Sequence, residues 1–462
     1  MGRKHNCHKC HCHCKRDHEL RFMTKNMSEG FDYDPGVDGL PGYNSVIGDS
    51  YAVPTGPNAT IDKLAQTFEN MWRQTNEEQY LWTTQRLDQM AKEIADVNPD
   101  VLSLQNAMIF ANNPVGEFDD TRFFNLELCN GVYGEEDSPE ETRVYDYTKM
   151  IIKRLKSQYG LDYIVASRQL GDANQAPRSG SEENAFNNAK VNLSIYQTVA
   201  LLIKKDLKPK LIRQQQRTFQ YSRDAQSSIL FDNDGNEIRA QFTITVWRGY
   251  NSVDVKIKGK TIRIVNVYFA SGNRNYGPTA DYNPPYTVAA NSRDWIGKTV
   301  EYESNSCAVA MEALEMREQE IIPSPYPVVL TGDFNTESSF EQNPFFGRFF
   351  PVGGYRTLVD SGVMVDVGEK VLGKDVVSTT PYKTGSLTSG GGGGADWDRM
   401  RNPDNNYRFR LDYIMYRDGD STEATGFNVS QVNPVAPPIP NSFRWTSTHN
   451  GVYADLKFKS CH

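Results

Sequence analysis

Through the middle of the chain, apolar residues recur first at helical and then at strand spacing. Leu87, Met90, Ala91 and Ile94 fall three and four residues apart and predict one buried helix face; the run Val101, Leu102, Leu104 predicts a strand ending in the polar pair Gln105-Asn106. A second helix is signalled by Ser138 as N-cap, Pro139 at the first helical position and Glu141 in the first turn. Its apolar face follows at Val144, Tyr147, Ile151, Ile152 and Leu155, with Gly160 just past the end. Strands are expected at about 197–203, 240–248, 252–257 and 261–269, with Lys258-Gly259-Lys260 as a tight hairpin between the last two. Val300, Val309, Met311 and Leu314 predict a helix over 297–318 that feeds a strand at Pro327–Leu330, and an earlier strand is expected at Phe68–Trp72.

Strands and helices interleave without a strict βαβ rhythm. That suits an α/β fold of two mixed sheets packed face to face with helices outside. Residues 1–57 have no periodicity and are rich in Gly, Pro, Asp, Asn and Ser, so they read as an N-terminal tail, with 58–462 as one folded domain carrying long loop insertions. A length of 462 residues does not force a further division, because sandwiches of this kind run long as single units.

Composition narrows the functional classes. The net charge of −8 gives no general affinity for polyanions, so a nucleic-acid partner would need a local basic patch such as Lys204, Lys205, Lys208, Lys210, Arg213 and Arg217, which also reads as a solvated strand end. No run of about 18 apolar residues suggests a membrane span. Four of the seven cysteines lie in the first fourteen residues and the others are scattered singly, which is no disulfide framework. An intracellular, reducing setting (cytoplasm, nucleus or viral particle) is expected rather than secretion. Cys7, Cys10, Cys12 and Cys14, interleaved with histidines, are ligand types that suit Zn²⁺, although their spacing matches no zinc finger and a disordered tail with adventitious metal affinity is the favoured reading. Oligomeric state is not legible.

The candidate chemistry lies towards the C-terminus. The apolar run Pro327–Leu330 stops at Thr331-Gly332 and delivers Asp333-Phe334-Asn335, a carboxylate and an amide two residues apart and so on one side of an extended backbone. An ordinary strand-to-turn exit has the same look. His449 sits in a polar turn before the apolar stretch Val452–Leu456, where a neutral imidazole can move a proton near pH 7. Asp412 interrupts the otherwise apolar run Leu411–Met415, and burying a carboxylate there requires hydrogen-bond donors that a histidine N–H can supply.

With Asn70 after Phe68-Glu69, Gln105-Asn106, Tyr268, Gly332-Asp333-Phe334-Asn335, Arg410-Leu411-Asp412-Tyr413-Ile414 and His449 in this order, the chain resembles the endonuclease/exonuclease/phosphatase superfamily over about residues 60–460. The resemblance implies a four-layer α/β/β/α sandwich and divalent-metal-dependent phosphoester hydrolysis with Mg²⁺ or Mn²⁺. It implies a phosphodiester substrate, nucleic acid among the candidates. His449 would be the base and Asp412 its orienting partner; Asp333 and Asn335 would hold water and a phosphate oxygen, Tyr268 would donate to phosphate, and Asn70, Asn106 and Asp333 would place the metal.

Two departures stand out. The superfamily's Gln-Glu appears as Gln105-Asn106, and its Asp before the final His appears as Thr448. Mg²⁺ is usually held by one or two carboxylates, so both exchanges weaken the expected metal site. Two functional classes follow, a phosphodiesterase with a weakened metal site or a degenerate relative retained as a binding or structural protein.

Overall fold

In the computed structural model, the residues described are 18–27, 81–114, 144–170, 174–178, 191–231, 237–269, 309–336, 353–373, 410–419, 421–430, 434–435, 444–445 and 449–459. In chain order the elements are β1 (His18–Asn26), α1 (Leu81–Val97), β2 (Val101–Gln105), β3 (Ile109–Pro114), β4 (Val144–Asp146), α2 (Tyr147–Tyr159), β5 (Tyr163–Leu170), β6 (Asn174–Arg178), β7 (Val191–Tyr196) and β8 (Thr198–Lys204). There follow β9 (Lys210–Phe231), β10 (Glu237–Ile257), β11 (Lys260–Tyr268), β12 (Val328–Asp333), α3 (Gly353–Leu358), β13 (Met364–Asp366), α4 (Val367–Leu372), β14 (Asp412–Arg417), β15 (Thr422–Val429), β16 (Pro434–Val435), β17 (Arg444–Trp445) and β18 (Val452–Phe458).

Two six-stranded mixed sheets carry the architecture, in the orders β15-β18-β1-β2-β8-β5 and β13-β14-β12-β11-β10-β9. Their facing sides share an apolar layer that includes Phe22, Val101, Leu201, Val253, Ile264, Val329, Ile414 and Leu456. Outside the first sheet, Leu87, Met90 and Ile94 of α1 and Ile151 and Leu155 of α2 pack with Met23 and Leu102. Outside the second, Val309, Ala313 and Met316 of the helical segment 309–316 pack with Val265, Val267 and Leu330. This is the expected α/β/β/α layering, and among the described residues no helix is long and apolar enough to cross a membrane.

Polar residues interrupt the inter-sheet layer at one level. Gln105 Nε2 donates to Asn266 Oδ1 (2.6 Å), Thr24 Oγ1 donates to Gln105 Oε1 (3.2 Å), and Ser103 and Thr331 join their hydroxyls at 2.6 Å. Asn266 Nδ2 reaches back to the carbonyls of Leu104 (3.2 Å) and Ala200 (3.0 Å). An aliphatic interface tolerates small slides between sheets; directional bonds between buried groups do not.

Several expectations are corrected. The stretch 1–57 is not all tail, because residues 18–26 form β1, which pairs antiparallel with β18 and parallel with β2 in the middle of the first sheet. A central strand is covered on both faces, so its sequence lacks clean alternation, and the polar ending Thr24-Lys25-Asn26 hid it further. The second helix spans Tyr147–Tyr159, and Ser138, Pro139 and Glu141, expected at its start, lie outside the described residues. Val144–Asp146 pairs with β3 instead, and the Asp146 carboxylate caps the helix by accepting from Lys149 N at 3.2 Å. Gly160, in the left-handed region at φ 69, closes it as expected. The separate strands at 240–248 and 252–257 are one strand, β10. The hairpin after it turns on Lys258 and Gly259, both at positive φ (49 and 86), the backbone a two-residue turn of primed type requires. Met311, expected on the buried face, is 40% exposed. Asn70, the strand expected around it and the cysteines of the tail lie outside the described residues.

The location of β1 yields a direct test. Phe22 is fully buried between the sheets, so Phe22→Ala is expected to lower the unfolding free energy by about 3–5 kcal/mol in urea denaturation. A loss below about 1 kcal/mol, the scale of a surface change, would mean this segment is a tail after all.

Candidate active site

The chemical groups gather where the two sheets end together. On the first sheet these are Asn26 at the end of β1, Asn106 just past β2 and His449 just before β18; on the second they are Tyr268 at the end of β11, Asp333 at the end of β12 and Asp412 at the start of β14. The ladders place Tyr268 beside Asp333 and Asp333 beside Asp412. Gly332 makes that spacing possible: at φ 152, a Cβ on it would stand 2.1 Å from the Val267 carbonyl oxygen.

Across the gap between sheets, Asn26 Nδ2 donates to Asp333 Oδ2 at 2.8 Å and lies 3.5 Å from His449 Nε2. Asp333 Oδ1 accepts from the backbone N–H of Asn335 (2.9 Å), whose own amide donates to the Phe269 carbonyl (2.9 Å). Asn335 takes positive φ (47), which Asn tolerates better than most residues, and so folds the turn back onto the carboxylate. Asn335 is thus a turn-former around Asp333. His449 Nδ1 is 2.8 Å from Asp412 Oδ2. With the Nδ1 proton assigned to that carboxylate, Nε2 is the basic nitrogen, and it faces Asp333 Oδ2 at 3.9 Å. One oxygen can bridge such a gap with ordinary hydrogen bonds to both. Asn26, Asp333, Asp412 and His449 are all buried, with exposures of 0–1%.

His449 is fixed from behind by an ion pair. Lys25 Nζ meets Glu93 of α1 at 2.9 Å and donates to the His449 carbonyl at 2.7 Å, while Glu93 Oε1 accepts from Gly451 N at 3.1 Å and from the Ser430 hydroxyl. Burial lowers the Lys25 pKa and the charge of Glu93 works against that shift. Gly451 has no room for a side chain, since a Cβ would come within 2.4 Å of Met23 Cε and Ser430 Oγ. Asp412 has a comparable anchor just upstream. Arg410 binds Asp366 through two 2.6 Å bonds and stacks over Tyr413 at 4.5 Å, and Asp366 also caps α4 through Gly368 N (2.9 Å).

Asn106 is drawn elsewhere. Its Nδ2 donates to the Tyr268 hydroxyl at 2.9 Å and its Oδ1 accepts from Gln197 Nε2. Arg248 lies over the Tyr268 ring at 3.9 Å. Asn26, Lys25 and Glu93 were not foreseen from the sequence; an asparagine followed by methionine, as at Asn70-Met71, also occurs at Asn26-Met27 and was the available signal. The basic stretch after β8 is partly committed to the fold, with Arg213 on Glu320 (2.8 and 2.9 Å) and Lys204 on the Asn98 carbonyl (3.0 Å).

Asp333, Asp412 and His449 each offer a ligand atom, all within 4.8 Å of one another. The buried carboxylates are the hard oxygen donors that Mg²⁺ or Mn²⁺ prefers, so the site fits such an ion.

A model of the Endonuclease/Exonuclease/phosphatase family matches residues 70–449. The matched range starts downstream of β1; the ladders and the Asn26–Asp333 bond nevertheless put β1 in the site. No curated protein matches the sequence. Among solved structures, an endonuclease/exonuclease/phosphatase family protein from Bacteroides thetaiotaomicron is similar at 13% identity, with a TM-score of 0.45 and coverage of 96% of this chain and 100% of that one. A mannosyl-6-phosphatase from the same organism is similar at 12% identity and a TM-score of 0.41, covering 95% and 99%. The human Nocturnin catalytic domain with bound sulfate aligns at 14% identity and a TM-score of 0.35, covering 81% and 87%.

Removing one partner of the ion pair behind His449 leaves a buried charge. Lys25→Met is expected to cost about 3–5 kcal/mol in urea denaturation, and adding Glu93→Leu to recover most of it. A single variant as stable as the wild type would show that the pair does not hold this corner.

Proposed function

The chain belongs to the endonuclease/exonuclease/phosphatase family, and from that premise we propose that it is a Mg²⁺- or Mn²⁺-dependent phosphodiesterase. One observation carries the reading: a histidine whose inner nitrogen meets a buried aspartate at 2.8 Å while its outer nitrogen faces a second aspartate at 3.9 Å. A buried imidazole and two buried carboxylates would be a costly way to hold a scaffold together.

In this reading the reacting water lies between His449 Nε2 and Asp333 Oδ2. Asp333 accepts one of its hydrogen bonds and aims it; its other oxygen is occupied by Asn335 N, so its orientation is set in advance. His449 takes the water's proton at Nε2 as the oxygen attacks phosphorus and the P–O bond to the leaving alkoxide breaks; Asp412 stabilises the imidazolium that forms, and the alkoxide leaves as the alcohol once protonated. Tyr268 donates its hydroxyl to a non-bridging phosphate oxygen, where charge builds in the transition state. Asp333, through lone pairs beyond those its hydrogen bonds use, and Asn26, through Oδ1, would hold the cation, which when bound would offset negative charge on the phosphoryl group. Asn335 contributes by shaping the Asp333 turn.

A phosphodiester is the substrate class and nucleic acid a candidate, against the chain's net charge of −8. Substrate phosphate would have to be attracted by the cation and by Arg248 at the site, because the basic stretch after β8 is partly spent on Glu320 and Asn98. Binding of Zn²⁺ by Cys7, Cys10, Cys12 and Cys14 remains a separate proposal that deleting residues 1–16 would test without touching β1.

Purified protein should hydrolyse bis(p-nitrophenyl) phosphate, lose that activity to a chelator and regain it with Mg²⁺ or Mn²⁺. His449→Ala is expected to lower kcat by about 10²–10⁴-fold, the usual worth of a general base, and Asp412→Asn to lower it by a smaller factor. No turnover across both metal titrations, or turnover indifferent to His449→Ala, would leave the alternative of a degenerate relative that binds without hydrolysing.

A further inference from the structure

We infer that Asn106 is a positioning residue for Tyr268, and not a ligand of the cation. The inference rests on the phosphodiesterase reading and assigns a different task to the amide standing where the family resemblance implies a metal-binding carboxylate.

Asn106 follows the last residue of β2 and is buried, with positive φ (52). Gln105 before it is committed to the inter-sheet layer, through Asn266 and Thr24. The left-handed turn at Asn106 carries its amide away from that layer and across to Tyr268. There Nδ2 donates to the tyrosine hydroxyl at 2.9 Å, while Gln197 Nε2 donates to Oδ1. An amide can ligate a hard cation only through its oxygen. In Asn106 one of that neutral oxygen's two lone pairs is taken by Gln197, whose hydrogen carries partial positive charge, an unfavourable neighbour for an ion where no carboxylate charge offsets it.

The bond to Tyr268 has a chemical consequence. A hydroxyl that accepts from Asn106 has its own proton directed to some other acceptor. Tyr268 stands next to Asp333 in the parallel ladder, hence on the same face, and Arg248 lies over its ring at 3.9 Å. A cation on the ring face favours the phenol as a donor. The chain Gln197 to Asn106 to Tyr268 therefore passes donor capacity toward the cleft. An ionised glutamate at position 106 would do the reverse, because it could only accept and would draw the tyrosine proton to itself. Asparagine in place of glutamate removes a negative charge and also leaves the Tyr268 hydroxyl to donate to an acceptor other than residue 106.

A double-mutant cycle separates positioning from ligation. Asn106→Gly suits the left-handed backbone, Tyr268→Phe removes the hydroxyl alone, and the third variant combines them. Each protein is assayed for bis(p-nitrophenyl) phosphate hydrolysis at saturating Mg²⁺, and its Mn²⁺ affinity is measured independently by electron paramagnetic resonance. Each single variant is expected to lose about tenfold in kcat, the scale of one hydrogen bond, with the double variant no slower than Tyr268→Phe. The Mn²⁺ affinity of Asn106→Gly should stay within about twofold of wild type, because no group that touches the ion has been removed. The inference is overturned if Asn106→Gly weakens Mn²⁺ binding about tenfold or more while Tyr268→Phe does not, or if the two kinetic losses multiply. A wild-type protein with no turnover sinks the phosphodiesterase reading instead. The Mn²⁺ comparison then decides on Asn106 alone, and the tenfold loss again counts against the inference.

Discussion

The structure depends on how two sheets are aligned. Half of the reactive groups, Asn26, Asn106 and His449, belong to one sheet, and the other half, Tyr268, Asp333 and Asp412, belong to its partner. The aliphatic layer between them, with Val101, Leu201, Ile264 and Val329, supplies most of the adhesion and little of the registration, because apolar contact is non-directional. Registration comes from the level just beneath the site, where Gln105 bonds Asn266 and Ser103 bonds Thr331 across the interface. Loss of those bonds would leave the sandwich adhesive but free to shift, and a shift of an ångström is enough to spoil a 2.8 Å contact between Asn26 and Asp333.

Two buried ion pairs extend that control to the segments entering and leaving the sheets. Lys25–Glu93 links β1 to α1 and holds the backbone at the His449 carbonyl and at Gly451 just after it; Arg410–Asp366 links the approach to β14 with the start of α4, two residues before Asp412. Such pairs are poor sources of net stability, since desolvation offsets their attraction. Their value here is geometric. Each ties a strand end that bears a reactive side chain to a helix, so that histidine and aspartate arrive already oriented.

The strands also run past the site. The β10–β11 ladder ends with Gly249 opposite Tyr268, yet β9 and β10 stay paired from there to Phe231 opposite Glu237. At the same end of the first sheet, β2 and β8 are continued by β3 and β7 of a four-stranded sheet. Asn106 lies at the junction of β2 and β3 and Tyr268 opposite Gly249, so their contact joins the two sheets where these extensions begin.

Much of this was legible in the chain itself. Helical spacing at Leu87, Met90, Ala91 and Ile94, the Lys258-Gly259 turn, and the Gly332-Asp333-Phe334-Asn335 exit are local signals, set by side-chain period and by backbone conformations few residues tolerate, and each reappears in the fold. What could not be read locally was that Asn26 joins the site. β1 is placed by pairing with β18 at the far end of the chain and with β2, and a strand covered on both faces carries no alternation to announce it. The task of Asn106 was hidden for the same reason. An amide's role is set by the partners that reach its two ends, and Gln197 and Tyr268 are brought to it only when the sheets close.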